Sequence, residues 1–213
     1  PLSDLRVRKA ISKGIDRQAI FSRVMDGLAE PSGQTVPKGW FGYNSEIQVE
    51  KYDPEGAKRL LANAGYPDGF GITIHGPNNR YVNDSKICQA VGQMLSRIGL
   101  KVEVDTMPKS AYFPKINVKK GVEFSFGLLG WGNTPYPASG HLGLMHCKKG
   151  NYNRSGYCNS EYDRLIDDAV STVDDGERER KEMKAVKLAM EEFESMAQGP
   201  QEEVVEEGIA SLV

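Results

Sequence analysis

FSFGLLGWGNTPYPAS, residues 124–139, is the most informative segment of the chain for its fold. Its first part, Phe124–Leu129, has the length and apolar composition of a buried strand. A glycine-flanked indole follows, Gly130-Trp131-Gly132, and then a small polar segment that two prolines stiffen. Because ligands of α/β sheets lie outside the carboxyl ends of strands, this strand end predicts one wall of a binding cleft. The alternative is an ordinary core strand with Trp131 as part of the core.

The elements before this stretch alternate between strand and helix. Residues 70–75 are a β-branched strand candidate, and residues 101–105 alternate as a half-exposed strand does. A helix with one apolar face is predicted between them, over residues 84–98, and a shorter helix over 111–118. This βαβ succession predicts an α/β fold with a largely parallel central sheet flanked by helices.

Further helices are predicted at both ends of the chain from apolar periodicity and capping residues. They are expected over residues 4–15, 16–27, 53–65, 159–170 and 174–193. By contrast, residues 30–52 carry glycine, proline and aromatic residues without any period. We expect a long irregular segment there, and such segments inside compact domains often carry function.

Composition restricts the class of protein. A chain of 213 residues is one ordinary domain or two small ones, with a net charge of −2 at pH 7. That charge gives no electrostatic reason to expect nucleic acid or a membrane surface as a partner. No apolar run approaches the roughly 20 residues that a membrane-spanning helix needs. The chain opens at Pro1 without an initiator methionine, and we expect it to be a piece of a longer protein.

The three cysteines fit no metal-site spacing. Cys147 and Cys158 lie close together within a polar loop, where two interpretations are open. They form a disulfide, which implies an oxidising compartment, or they are two unpaired thiols of a cytosolic protein. Cys88 falls on a helical pattern and is expected to be a small core residue.

Catalytic and metal-binding patterns are not found in the sequence. His75 is expected at a strand end, and His141 and His146 in a loop, and these form neither a metal-ligand pattern nor a catalytic triad. The glycines of residues 127–132 lack the lysine and hydroxyl of a phosphate loop. The sequence therefore favours a binding protein, with no catalytic residue, no cofactor and no metal.

Two loops are expected to meet at the carboxyl edge of the predicted sheet. They bring together Asn79, Arg80 and Tyr81 from the first loop, and Trp131, Gly132, Asn133 and Thr134 from the second. Arg80 precedes a helix whose expected cap is Asn83 or Asp84, so a bidentate guanidinium combines with the positive end of a helix dipole. Both features favour a carboxylate or another anion. The alternative is that Arg80 is a surface arginine in a turn.

Short motifs along the chain resemble the C-terminal lobe of family 5 of the extracytoplasmic solute-binding proteins, which serve dipeptide, oligopeptide and nickel ABC transporters. In order, they are residues 5–11 with 14–17, 52–55 with 64–67, 76–78 with 80–81, 99–102, 130–132, and 153–154 with Tyr157 and Asn159. The resemblance covers Pro1 to about Ala189. Residues 199–213 match the family poorly.

The resemblance implies one lobe of a two-lobed, type II periplasmic-binding-protein-like fold with a mixed, mostly parallel sheet. The lobe is expected over residues 1–198, with residues 199–213 as a tail leading to the hinge and the missing N-terminal lobe. The implied function is the substrate-binding component of an ABC importer, which captures a peptide or peptide-like solute and delivers it to a membrane permease. The implied location is periplasmic or extracytoplasmic, with a membrane anchor in the parent protein as one option.

The resemblance also implies roles for individual residues. Arg80 stands where dipeptide-binding members hold the ligand carboxylate. Their aspartate for the ligand amino group falls here at Thr134, or at Asn133 if the loop is realigned, and neither side chain carries a negative charge. A disulfide around the same loop in those members implies a bond between Cys147 and Cys158.

Two other functions compete with this interpretation. An α/β enzyme domain acting on a small anionic substrate would need an acid or base near Arg80, and the sequence offers only His75 or Asp84. A nickel-binding member would need clustered ligands, whereas the three histidines are spread along the chain.

Overall fold

The structure is a computed structural model that describes residues 1–117, 122–130, 139–150, 153 and 156–195. The helices are α1 (Leu5–Gly14), α2 (Arg17–Arg23), α3 (Pro54–Asn63), α4 (Asp84–Arg97), α5 (Lys109–Lys115), α6 (Ser139–Leu142), α7 (Ser160–Ser171) and α8 (Asp175–Ser195). A 3-10 turn covers Gly143–Met145. The strands are β1 (Gly71–Pro77) and β2 (Lys101–Met107).

Capping side chains begin several helices where the sequence predicts them. Each cap accepts a hydrogen bond from a backbone N–H in the first turn and so satisfies a donor that the helix leaves free. The caps are Asp4 for α1, Asp16 for α2, Asp53 for α3 and Asn159 for α7. Asp174 does the same before α8, where it accepts from the N–H of Glu177 at 2.7 Å.

The sheet is built on β1 and β2, which pair in parallel. The register places Gly71 opposite Lys101 and Pro77 opposite Met107, with α4 as the crossover between the strands. The predicted βαβ unit and the α/β fold class are therefore confirmed, and both strands extend two residues further than their sequence patterns indicate.

The predicted strand Phe124–Leu129 is much shorter in the structure. It pairs with β1 only at Gly127, through hydrogen bonds from the His75 N–H to the Phe126 carbonyl (3.0 Å) and from the Leu128 N–H to the His75 carbonyl (2.8 Å). The next bond of a parallel ladder would come from the N–H of residue 77, and this residue is proline. The Leu128 carbonyl instead accepts from the Tyr112 hydroxyl at 3.0 Å. Pro77 is thus the physical reason for the early end of the pairing.

One hydrophobic core joins this sheet to the helices around it. Its buried residues come from α1, α3, α4, β1 and the segment after Phe124; they include Val7, Ile11, Leu61, Ile74, Cys88, Leu95, Phe126 and Leu128. Cys88 is a fully buried thiol, as predicted. Burial raises the pKa of this thiol to about 12, so it stays protonated and acts as a small apolar side chain.

A second core lies between α7, α8 and the irregular segment. Residues 30–52 contain no helix or strand, as predicted. Two buried side chains give this segment its shape: Gln34 donates to the Asn44 carbonyl at 2.7 Å and accepts from the Asn44 N–H at 3.0 Å. The Asn44 amide also donates to the Met183 carbonyl of α8 at 3.2 Å. The irregular segment is therefore tied to the second core.

A disulfide joins Cys147 to Cys158, the pair that the family resemblance implies. The Cys147 N–H donates to the Asp163 carboxylate of α7 at 3.0 Å. Next to it, Lys149 donates to both carboxylate oxygens of Asp167 at 2.7 Å. The disulfide loop is therefore held against α7 by three polar contacts in addition to the covalent bond.

His75 lies inside β1, and the expectation that it ends the strand was wrong. Its imidazole stacks on the Phe124 ring, with ring centroids 3.8 Å apart. Burial lowers the pKa of His75, because desolvation penalises the charged ring. The nearby Asp105 carboxylate raises this pKa, and the positive charge of Lys115 lowers it.

The lowered pKa of His75 predicts a dependence of stability on pH. Since the unfolded chain takes up a proton near the ordinary pKa of 6.5, the stability from neutral His75 is present above that pH and is lost as the pH falls through it. We expect the urea midpoint to fall between about pH 7.5 and about pH 5.5, and to fall less in His75→Gln. An equal fall in both proteins would contradict this role of His75.

Candidate functional site

The loop between β1 and α4 carries the first three predicted site residues. Asn79 does not point freely into solvent, because its side-chain oxygen accepts a hydrogen bond from the Lys109 N–H at 2.8 Å. Just before it, the Asn78 N–H donates to the Met107 carbonyl at 3.0 Å and extends the contact of the loop with the end of β2. Asn79 therefore anchors the loop to the start of α5.

The centre of this loop is organised by Asp84, the first residue of α4. One carboxylate oxygen accepts from the backbone N–H groups of Arg80 (2.8 Å) and Tyr81 (3.0 Å). The other accepts from the N–H of Ser85 at 2.8 Å. Asp84 is only 3% exposed, so these backbone donors take the place of water around its charge.

The N-terminus of α4 differs from the expectation at Asn83. This residue occupies the cap position in a left-handed conformation (φ 54°), and its side chain makes no capping bond. It donates instead to the Val24 carbonyl at 2.8 Å, just beyond α2. A backbone turned this way directs the Asn83 side chain away from the helix, and Asp84 binds the loop instead.

Tyr81 connects this loop to the end of the segment that follows Phe124. Its hydroxyl donates to the Gly130 carbonyl at 3.1 Å. The ring lies so close to Gly130 that a Cβ atom there would be 2.7 Å from Tyr81 Cε1. Only glycine accommodates this approach, so Tyr81 packs the first loop closely against the end of the segment after Phe124.

Arg80 lies at the surface of the same loop. Its guanidinium carbon is 4.9 Å from the centroid of the Tyr81 ring, a cation–π distance. Within the described parts of the chain, no carboxylate forms an ion pair with this guanidinium. The five N–H donors of Arg80 are thus oriented by an aromatic face and are available for an anion.

The structure brings Asn79, Arg80 and Tyr81 together beside Gly130, where the second loop begins. Trp131, Gly132, Asn133 and Thr134, the other predicted site residues, lie outside the described residues. Their neighbour Gly130 is the last described residue of that strand end and touches Tyr81. The predicted convergence of the two loops therefore stays a prediction beyond Gly130.

Asp84 and Gly130 are the site residues whose roles the sequence does not reveal. An aspartate at a helix start is a recognisable capping signal, and a capping side chain accepts hydrogen bonds from N–H groups that follow it in the chain. The Asp84 carboxylate also accepts hydrogen bonds from two N–H groups that precede it, those of Arg80 and Tyr81. A glycine before a tryptophan indicates that another group packs closely against the backbone, but the sequence does not identify that group. In the structure it is the Tyr81 ring.

The two candidate acid–base side chains of the enzyme interpretation, Asp84 and His75, are held in other contacts. The Asp84 carboxylate is buried against backbone donors, and the His75 ring is stacked on Phe124. An exposed guanidinium over an aromatic ring, in a loop that follows a parallel strand, has the chemistry that suits an anion. The described residues therefore form an α/β lobe with an exposed loop edge suited to ligand binding.

The comparisons with known proteins identify the family. The family model described as "Bacterial extracellular solute-binding proteins, family 5 Middle" matches residues 1–153. The chain belongs to this family of solute-binding proteins, which are not enzymes.

Two curated relatives support the same family. The chain is 31% identical over 186 residues to heme-binding protein A of Haemophilus influenzae, and 30% identical over 186 residues to di/tripeptide-binding protein 1 of Pseudomonas aeruginosa. Each match covers 84% of this chain, and 33% and 34% of the relatives. The chain thus spans about a third of the length of the curated relatives it matches.

A solved structure confirms the fold. The dipeptide-binding protein of Pseudoalteromonas sp. SM9913, in complex with Met-Leu, superposes with a TM-score of 0.80 at 25% sequence identity. The match covers 91% of this chain and 39% of that protein. The chain is therefore similar to one part of a larger binding protein.

No group of three or more His, Cys, Asp or Glu side chains among the described residues is arranged to hold a metal ion. No helix in the same part of the chain is long and apolar enough to cross a membrane.

Proposed function

We propose that this chain forms one lobe of the substrate-binding component of an ABC importer. The ligand is a peptide or peptide-like solute with an anionic group, held in a cleft between this lobe and an N-terminal lobe. The observation that carries the proposal is the exposed Arg80 guanidinium, which lies over the Tyr81 ring in a loop whose backbone is held by the Asp84 carboxylate. Family membership and the peptide-binding relatives support it.

The proposed mechanism is hinge closure without a chemical step. Arg80 binds the anionic group, and Trp131 supplies an apolar wall. Closure of the second lobe over the ligand then removes the remaining solvent, and the closed form is recognised by a membrane permease. The lobe of this proposal covers residues 1–198, and residues 199–213 lie outside the described residues.

The second loop limits the class of peptide. Asn133 and Thr134 offer neutral oxygens where an acid would hold a ligand ammonium. A neutral acceptor replaces a charge-assisted hydrogen bond with a weaker one. We therefore propose that the anionic group contributes more to affinity than a free amine, which also admits ligands whose amine is blocked.

The Cys147–Cys158 disulfide supports a periplasmic or extracytoplasmic location, because such bonds persist in oxidising compartments. This location places the protein on the side of the membrane where an importer collects its solute.

Mass spectrometry of the ligand that co-purifies with the full-length, two-lobed protein tests the proposed function. We expect a small peptide or peptide-like molecule with a carboxylate or another anionic group. A calorimetric panel of di- and tripeptides, each as its free acid and its C-terminal amide, then ranks the determinants. Binding of amides as tight as that of acids, or recovery of a cationic solute, would contradict the proposal.

A further inference from the structure

Asp84 lies four residues after Arg80, close enough in sequence for the two side chains to form an ion pair. Instead the carboxylate is buried and accepts three backbone N–H groups, from Arg80, Tyr81 and Ser85. The guanidinium of Arg80 lies over the Tyr81 ring. The Asp84 carboxylate therefore holds the backbone of the Arg80 loop and does not pair with the Arg80 guanidinium. The positive charge of Arg80 is left for another anion.

We infer that Asp84 is a positioning residue for the anion site at Arg80; this inference rests on the proposed function. A carboxylate that binds two successive N–H groups removes the freedom of the Arg80–Tyr81 peptide unit before any ligand arrives. The conformational cost of binding is reduced accordingly.

Tyr81 extends this order to Gly130, at the end of the segment after Phe124. The Asp84 carboxylate holds the Tyr81 backbone, and the Tyr81 hydroxyl holds the Gly130 carbonyl at 3.1 Å. The close packing of the Tyr81 ring on Gly130 leaves little room for a different arrangement. Asp84, Tyr81 and Gly130 thus form one connected brace across the carboxyl edge of the sheet, with Arg80 on its outer side.

The first experiment measures hydrogen exchange of backbone amides in the ligand-free full-length protein. We expect the Arg80 and Tyr81 amides to exchange at least about tenfold more slowly than unprotected amides, although their loop is at the surface. Exchange at unprotected rates would overturn the inference. This measurement needs no variant and does not depend on the identity of the ligand.

The second experiment is a double-mutant cycle between Asp84 and Arg80. The probe is the tightest-binding peptide acid of the panel, and its C-terminal amide is the comparison. Asp84→Ala is expected to raise the Kd of the acid about tenfold and to leave the Kd of the amide within about twofold of the wild-type value. Asp84→Asn keeps one oxygen acceptor, so it is expected to recover most of the lost affinity for the acid. In the Arg80→Ala background, the effect of Asp84→Ala should disappear.

The matched control is Asp53→Ala, which removes another carboxylate that accepts a backbone N–H, from Gly56 at 2.8 Å, at the start of α3. It should lower the melting temperature without changing the ratio of acid to amide affinity. Equal loss of acid and amide binding in Asp84→Ala, or the same loss with and without Arg80, would overturn the positioning role alone. If Arg80→Ala itself leaves acid binding unchanged, the proposed function is overturned together with this inference.

Discussion

Replacing Arg80 by alanine in the full-length protein is expected to raise the Kd for a peptide acid about 100-fold, equivalent to about 3 kcal/mol. In the proposed complex, the guanidinium supplies a bidentate, charge-assisted contact to the ligand carboxylate, which water cannot replace once the second lobe has closed. Titration calorimetry with the tightest-binding peptide acid of the panel measures this loss. The amide of the same peptide should lose much less, because it carries no carboxylate.

Two variants separate the charge of Arg80 from its geometry. Arg80→Lys keeps the charge but not the planar fork, so we expect an intermediate affinity. Arg59→Ala removes another exposed arginine, on α3, and should leave binding unchanged. Equal affinities of wild type and Arg80→Ala for the peptide acid would show that Arg80 is the surface arginine of the alternative interpretation.

Removing both disulfide cysteines, in a Cys147→Ser/Cys158→Ser variant, is expected to lower the free energy of unfolding by about 3 kcal/mol. The two residues are separated by 11 positions, and the bond restricts the unfolded chain by closing that loop. Urea denaturation of this chain under oxidising conditions measures the difference.

A reducing agent provides the matching control for the disulfide. It should destabilise the wild type to the level of the double variant and leave the double variant itself unchanged. Cys88 is buried and remains a thiol in both proteins, so it does not contribute to the difference. Unchanged stability of the wild type on reduction would mean that the contacts of Asp163 and Asp167 hold the loop without the covalent bond.

The helices, the parallel pairing and the core could be predicted because each depends on local signals. Helices predicted to start near residues 4, 16 and 53 begin there in the structure, where Asp4, Asp16 and Asp53 are the caps. Apolar residues at helical spacing, such as Leu61 and Leu95, lie in one core. These features follow from the chain's own periodicity, so a single sequence is sufficient to predict them.

The remaining features depend on partners that are distant in the sequence or act through the backbone. The strand after Phe124 is short because Pro77, on another strand, has no N–H to offer. Glycine is likewise required at position 127 by a residue distant in the sequence, because a Cβ atom there would lie 2.6 Å from the Tyr112 hydroxyl. The role of Asp84 depends on backbone N–H donors, and every residue except proline has one, so the sequence does not indicate which of them Asp84 binds.

Pro77 has a consequence for ligand entry. The described main-chain hydrogen bonds between β1 and the segment after Phe124 end at His75 and Leu128, and further along the Tyr81 hydroxyl donates to the Gly130 carbonyl. The ladder ends because proline has no N–H, so it ends there in the empty protein as well. In the proposed function, a solute that binds at Arg80 breaks no main-chain hydrogen bond at Pro77, and the rate of capture is then expected to be set by diffusion and by movement of the proposed second lobe.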